Sequence, residues 1–342
     1  MTDAIEEPDI TRGLSRRRVL TVMAALAGLP LLNSAGTVRG AAAPRFAWRG
    51  IALGARAELV VAHPDAAAAR RAARFCLDEV MRLERAFSLF RPDSELSRLN
   101  RRGTLASPSL DLRVLLAEAQ RFGALTAGAF DPTVQPLWQL HVRHFAKSGA
   151  DRSGPAGRDL EAALALVDYR ALDVAPQRII LGRPGMALTL NGIAQGYITD
   201  RVADLLRDLG FDRVLVELGE IRALDAPPDA SAWHIGLADP EVPGRPLSHL
   251  ALHDRAAATS SGLAARFDPT AHYNHLFDPA TGASPRGWRS VTVVAKRATT
   301  ADALSTALAV VPPHAAARLL QTGGGDYALV LTRDLRLRRI AP

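Results

Sequence analysis

The chain has 342 residues, of which 48% are hydrophobic and 23% charged, and it carries a formal net charge of +7. That is enough apolar sequence for a full core, in one large domain or in two intertwined lobes. Its basic residues are scattered among acidic ones and form no run interleaved with aromatics, which excludes a nucleic-acid groove, and its single cysteine, Cys76, excludes an intrachain disulfide.

The first element is a twin-arginine run, Ser15-Arg16-Arg17-Arg18-Val19-Leu20-Thr21, which leads into an uncharged stretch over 19–32 and small residues over 40–43. The apolar stretch is interrupted by Gly28 and Pro30 and is too short to span a bilayer core, which takes roughly 20 apolar residues. The pattern predicts a Tat export signal over 1–43, cleaved at an approximate point, and a domain over 44–342 that works in the periplasm. No cysteine accompanies the signal, so a lipid anchor is not expected.

Residues 48–62 predict a strand pair or one bent strand. A helix follows over 66–87, in which Cys76, Val80, Leu83 and Phe87 form one apolar seam, so Cys76 is expected in the core. A second amphipathic helix is predicted over 109–125 through Leu112, Leu115, Leu116, Ala119 and Phe122, and a turn-rich surface loop over 146–159. Residues 178–181 and 187–190 read as the strands of a hairpin that feeds a glycine turn. A helix over 197–209 is stopped by Gly210. Strands are expected at 214–218, 234–238, 247–252, 290–295 and 327–331, and a closing helix pair at 300–311 and 314–321. Helices and strands alternate without a regular βαβ rhythm, which predicts an α+β or irregular α/β fold rather than a doubly wound sheet.

Several motifs can carry chemistry. Thr299 or Thr300 offers an N-cap for the helix near 300, and Asp302 and Thr306, four residues apart, share one face of it. A carboxylate and a hydroxyl suit Mg²⁺ or Ca²⁺. The same two residues also have ordinary duties, the Asp toward the helix dipole and the Thr toward a carbonyl one turn back. In T-L-N-G-I-A-Q-G-Y at 189–197, Asn191 and Gly192 precede a helix whose first N–H groups can face an anion, although plain turn chemistry accounts for the glycine equally. In G-A-F-D-P-T at 128–133, Pro132 holds Asp131 extended, and Phe130 can stack on a ring or fill a core. His275 stands before a Pro-containing turn, where an imidazole can accept a proton or serve structure alone. The residues that define dinucleotide-binding, P-loop, serine-hydrolase and zincin motifs do not occur.

Six stretches taken together resemble, in order, the ApbE family of FAD:protein FMN transferases. They are F-S-L-F-R-P-D-S-E-L-S-R-L-N at 87–100, T-A-G-A-F-D-P-T-V at 126–134, N-G-I-A-Q-G-Y-I-T-D at 191–200, A-T-S-S-G at 258–262, H-L-F-D-P-A-T-G at 275–282 and A-D-A-L-S-T-A at 301–307. The resemblance runs from about residue 48 to 312. It implies two intertwined α/β lobes with an FAD cleft between them, and Mg²⁺ held by the carbonyl of Ala194, by Asp302 and by Thr306, with Ser305 adjacent. It sets Leu53 where many members have the Met of a Met-Gly-Thr turn and Phe90 at an aromatic near the adenine. Ala129, Phe130, Asp131, Asn191, Tyr197 and Leu276 fall on FAD-contacting positions, and His275 matches the family histidine that assists proton removal from the acceptor.

The implied reaction moves FMN from FAD to a Thr or Ser hydroxyl of an acceptor flavoprotein and releases AMP. The export signal and the L-T-L-N-G-I-A-Q-G variant look most like the NosX branch, associated with nitrous oxide respiration, which implies a membrane acceptor with a periplasmic FMN domain. Thr189, Asn191 and Gln195 depart from the D-L-G-G-I-A-K-G of many members, losing a carboxylate and a lysine near the phosphates, and Gly219-Glu220-Ile221 replaces G-G-D-I. A Mg²⁺-dependent FAD pyrophosphatase and a non-enzymatic flavin-binding assembly factor remain open on these residues.

Overall fold

Residues 48–62 build a hairpin in which β1 (Arg45–Ala52) runs antiparallel to β2 (Ala55–Ala62), with Arg45 opposite Ala62 and Ala52 opposite Ala55. The computed structural model describes residues 45–342 other than 53, 54, 64, 240, 241, 243, 244 and 271. The export signal expected over 1–43 and the candidate residue Leu53 lie outside the described residues.

The first helix, α1 (Ala66–Phe87), begins where Asp65 accepts the N–H groups of Ala67 at 2.8 Å and Ala68 at 3.0 Å. Its seam of Ala69, Ala72, Ala73, Cys76, Val80 and Leu83 is buried as the spacing predicts. Each large apolar side chain sunk in this way contributes about 2 kcal/mol. Burial also pushes the Cys76 thiol up to about 12, which makes it a packing residue.

The chain continues through α2 (Glu95–Arg102), β3 (Thr104–Ala106), α3 (Leu110–Leu125), α4 (Gln135–Phe145), α5 (Gly157–Leu164), β4 (Leu172–Val174) and β5 (Arg178–Leu181). Next come α6 (Ala194–Asp208), β6 (Val214–Glu217), β7 (Ile221–Leu224), β8 (Trp233–Ala238), β9 (Pro246–Leu252) and β10 (Ala256–Ser261). The last elements are β11 (Ser290–Ala295), α7 (Ala298–Val310), α8 (Ala316–Gly323), β12 (Gly325–Leu331) and β13 (Leu337–Ile340).

Eight strands form one antiparallel sheet in the order β1-β2-β6-β7-β10-β11-β12-β13. The β8–β9 hairpin covers one face through Trp233, Ile235, Leu237, Leu250 and Leu252. Helices α1, α6 and α7 cover the other face and share the main core with Phe122, Leu206, Leu304 and Leu308. The strands β3, β5 and β4 make a separate small sheet. A satellite core around Leu137, Ala163 and Phe277 ties α4 and α5 to the loop after β10. Among the described residues no helix is long and apolar enough to cross a membrane.

The expected α+β fold is therefore present, with three local corrections. Residues 187–190 are not a strand, and β5 pairs with β3 and β4 instead. The Asn100 side chain supplies the missing partners, donating to the Leu188 carbonyl at 2.9 Å and accepting its N–H at 2.7 Å, so the backbone has no need of a ladder. The predicted loop over 146–159 ends in the short helix α5. The helix expected from 300 starts at Ala298, and neither Thr299 nor Thr300 caps it.

Candidate active site

Helices α6 and α7 cross so closely that a Cβ on Gly196 would lie 2.4 Å from the Ala298 carbonyl oxygen. Each helix is capped by a carboxylate of the other. Asp200 of α6 accepts the N–H of Ala298 at 3.0 Å and the N–H and hydroxyl of Thr299 at 2.9 and 2.7 Å. Asp302 of α7 accepts the Gly196 N–H at 3.0 Å on Oδ2, within the first turn of α6, which has no cap of its own. Free N–H groups at a helix start need such partners. Asp302 thus serves the neighbouring helix, and its Oδ1 receives no donor among the described residues.

The crossing forms one wall of a cleft between the main and satellite cores. Ala129, Phe130, Asp131, Asn191, Gly192, Gln195, Glu220, Ser260, His275, Leu276, Asp302 and Thr306 line it. Residues drawn from six separate segments of the sequence therefore face one space. No lysine or arginine lines it among the described residues.

Two carboxyls line the cleft, buried without a counter-charge among the described residues. Burial pushes Asp302 up to about 7, and it pushes Glu220 well above the usual carboxylate range, with Asp302 adding to the rise. A cation brought to them relieves that penalty. Two of the three expected donors fit Mg²⁺, the Asp302 carboxylate with one oxygen free of protein donors and the Thr306 hydroxyl on the cleft wall, while Ala194, at the first position of α6, is not among the residues that line the cleft. Among the described residues no three His, Cys, Asp or Glu side chains converge, and Mg²⁺ commonly completes its shell with water and phosphate oxygens.

His275 is half-buried and lines the same cleft, and its Nδ1 lies 3.2 Å from the Ala265 carbonyl oxygen. A carbonyl only accepts, so Nδ1 carries the proton and Nε2 keeps its lone pair. Burial lowers the imidazole to about 4, so it is neutral at physiological pH.

The remaining expected residues divide. Ala129, Asn191 and Leu276 line the cleft. Phe130 lines it as well, while its ring packs edge-on to Phe122 at 6.2 Å in the main core. Asp131 reaches the wall, but its carboxylate is spent on protein: Oδ1 accepts the Thr133 N–H at 2.8 Å and Oδ2 the Tyr169 N–H at 3.0 Å. Two positions stand apart from the cleft. Phe90 is exposed on the turn after α1. Tyr197 follows Gly196 by one position, which turns it about 100° around α6, away from Asp302; its hydroxyl donates to Asp111 at 2.8 Å and its ring meets Phe87 edge-on.

The departures also find physical places. Gln195 is buried beside Gly219, whose φ of +98° and missing Cβ leave room for the amide. Thr189 accepts the Asn191 N–H at 3.3 Å and donates its own N–H to the Pro132 carbonyl at 2.8 Å, joining the two turns. Sequence reasoning noted Glu220 only as a departure and gave no role to Ser260. Both prove to be cleft residues.

The model of the ApbE family matches residues 53–330. A protein of Treponema pallidum named FAD:protein FMN transferase is 32% identical over 294 residues, spanning 78% of this chain and 79% of its own length. One of the same name from Vibrio cholerae is 34% identical over 231 residues, 65% of this chain and 68% of its own. Among solved structures, the flavin transferase ApbE from Vibrio cholerae superposes with a TM-score of 0.75 at 28% identity, covering 87% of this chain and 97% of that one. The apo form of the Pseudomonas stutzeri flavinyl transferase ApbE gives 0.73 at 27% identity, over 89% and 97%. With the family's pattern matched over most of its length and the same fold in these relatives, the chain belongs to the ApbE family.

Proposed function

We propose that this protein is an FAD:protein FMN transferase that works in the periplasm, moving FMN from FAD to a Thr or Ser hydroxyl of an acceptor flavoprotein. One observation carries the reading: Asp302, Thr306, the glycine turn before α6 and a neutral His275 face a single cleft that no lysine or arginine lines among the described residues. The relatives bearing the transferase name support it.

The chain's own residues divide the reaction. Ala129, Phe130 and Leu276 offer an apolar wall to the flavin ring. Asp302, Thr306 and the Ala194 carbonyl would hold Mg²⁺, which supplies positive charge against the diphosphate and the charge developing on the leaving AMP. The Gly196 N–H keeps the Asp302 carboxylate from swinging away. His275 Nε2 takes the proton of the acceptor hydroxyl as its oxygen bonds to the FMN phosphorus, and AMP departs with the electron pair of the broken P–O bond. Positioning and electrostatics supply most of the acceleration.

The twin-arginine run and its uncharged stretch support export by the Tat pathway. The likeness to the NosX branch supports a membrane acceptor with a periplasmic FMN domain, serving nitrous oxide respiration. The test is incubation of the full chain with FAD, Mg²⁺ and a candidate acceptor, followed by mass spectrometry. An FMN adduct on a Thr or Ser is the expected result. Free FMN and AMP with no adduct would assign hydrolysis instead, and unconsumed FAD would remove the enzymatic reading.

A further inference from the structure

The A-T-S-S-G stretch at 258–262 is one of the motifs of the resemblance, and its Ser260 lines the cleft. It forms the end of β10, directly under α7, and there Ser260 meets two hydroxyls of that helix. Ser260 Oγ lies 2.7 Å from Ser305 Oγ and 3.3 Å from Thr306 Oγ1. Ser305 Oγ in turn lies 2.9 Å from the Asp302 carbonyl oxygen.

The direction of this chain follows by elimination. The carbonyl can only accept, so the one proton of Ser305 is spent on it. Ser305 then has only lone pairs for Ser260, whose own proton must close the 2.7 Å bond. That leaves Ser260 an acceptor toward Thr306, so the Thr306 hydroxyl proton points into the protein, toward β10.

A helical Thr ordinarily bonds the carbonyl four residues back. Here that carbonyl belongs to Asp302, and Ser305 occupies it. On the other side Gly192 stands so close that a Cβ there would lie 2.8 Å from Thr306 Oγ1. Held between Ser260 and the 189–192 turn, the threonine oxygen has its proton turned inward and its remaining lone pair available to the cleft.

We propose that Ser260 is a positioning residue for the cation site: through a one-way hydroxyl chain, Thr306 to Ser260 to Ser305 to the Asp302 carbonyl, it orients the Thr306 oxygen as an acceptor-only donor atom for Mg²⁺. This role rests on the Mg²⁺ reading given above. Partners that orient a metal ligand change affinity by roughly 10-fold to 100-fold when removed.

The experiment is calorimetric titration of Mg²⁺ into the full chain, with thermal denaturation confirming that each variant is folded. Ser260→Ala is expected to weaken Mg²⁺ binding by about tenfold or more, and Ser260→Thr, which keeps the hydroxyl, to restore it. In a Thr306→Val background Ser260→Ala should add nothing, a non-additivity that a merely structural serine would not produce. Should Ser260→Thr fold poorly, Ser305→Ala gives the second arm, since freeing the Ser260 proton removes the enforced direction and should also weaken binding. Unchanged Mg²⁺ affinity in Ser260→Ala, alongside lost binding in Asp302→Ala, overturns the role of Ser260 and leaves the metal reading standing. Intact Mg²⁺ binding in Asp302→Ala overturns both.

Discussion

On one face of α6, Tyr197 and Arg201 meet Asp111, Arg82 and Glu79; on the other, Gly196 and Asp200 meet Asp302 and the start of α7. The first group is a closed ledger of charge. Arg82 bonds Glu79 at 2.7 Å and Asp111 at 2.8 Å, and the hydrogen bond from Arg82 holds Glu79 below its ordinary value. Burial alone would raise Asp111, yet Arg82, Tyr197 and Arg201 together hold it low as well. In the second group Asp200 is answered by the start of α7 and by Arg297 at 3.2 Å, but Asp302 is left open. Asp302 has one backbone N–H and no cation, and it rises to about 7. A carboxylate that the fold satisfies maintains structure, and one that the fold buries without a counter-charge awaits a ligand.

The largest expected effect separates those two carboxylates directly. Asp302→Ala should lower Mg²⁺-dependent transfer by on the order of 10³-fold in kcat/KM, while the lost cap at Gly196 costs only about 1 kcal/mol of stability. An unchanged rate would place Asp302 with the closed group. Next in size, His275→Ala should lower kcat by about 10²-fold to 10⁴-fold. Its pH profile sharpens the point. Because His275 is held near 4, the base stays neutral as pH falls through 6.5, and the histidine-dependent limb of the rate should appear close to 4. Between those two values the unfolded chain binds this proton more readily than the folded one, so the residue's contribution to stability declines as pH falls through that window. An activity limb near 6.5 would show the imidazole to be solvated and outside the cleft wall.

Asp200→Ala tests the partner cap. It exposes three donors at the start of α7 and leaves the buried Arg222 guanidinium, 3.9 Å away, without its carboxylate. A loss of about 3–5 kcal/mol in urea unfolding is expected. A loss under 1 kcal/mol would mean that the helix crossing holds without it. The smallest effect belongs to the closed face. Asp111→Ala should cost about 2 kcal/mol of stability through its bonds to Arg82 and Tyr197, with kcat/KM kept within about threefold. A collapse of activity at full stability would reverse the comparison.

Local rules read some of this molecule and miss the rest for one physical reason. The helix α1 was legible because its apolar seam recurs within the segment itself, and the structure adds that its caps, Asp65 and Ser88, are immediate neighbours in the chain. The pair Asp302 and Thr306 was legible because four residues make one helical turn. The start of α7 was not, since its cap stands on α6, about a hundred residues earlier. The missing strand at 187–190 has the same origin, because Asn100 satisfies Leu188 from 88 residues away. Strands β7 and β10 escaped notice because Ile221–Leu224 is only four residues long and carries an arginine, while Ala256–Ser261 has no large apolar side chain to mark it as a strand. Glu220 and Ser260 stand in stretches that the resemblance singles out, but nothing local to those stretches places them in the cleft. Only the sheet brings them beneath α7.

The single thiol of the chain is sunk in the seam of α1 and held in its protonated form. Maturation of this protein therefore needs no oxidant and no isomerase to sort sulfur pairs. The finished molecule also offers neighbouring proteins no sulfhydryl with which to form mixed dimers, so its assembly is indifferent to the redox state of whatever compartment it enters.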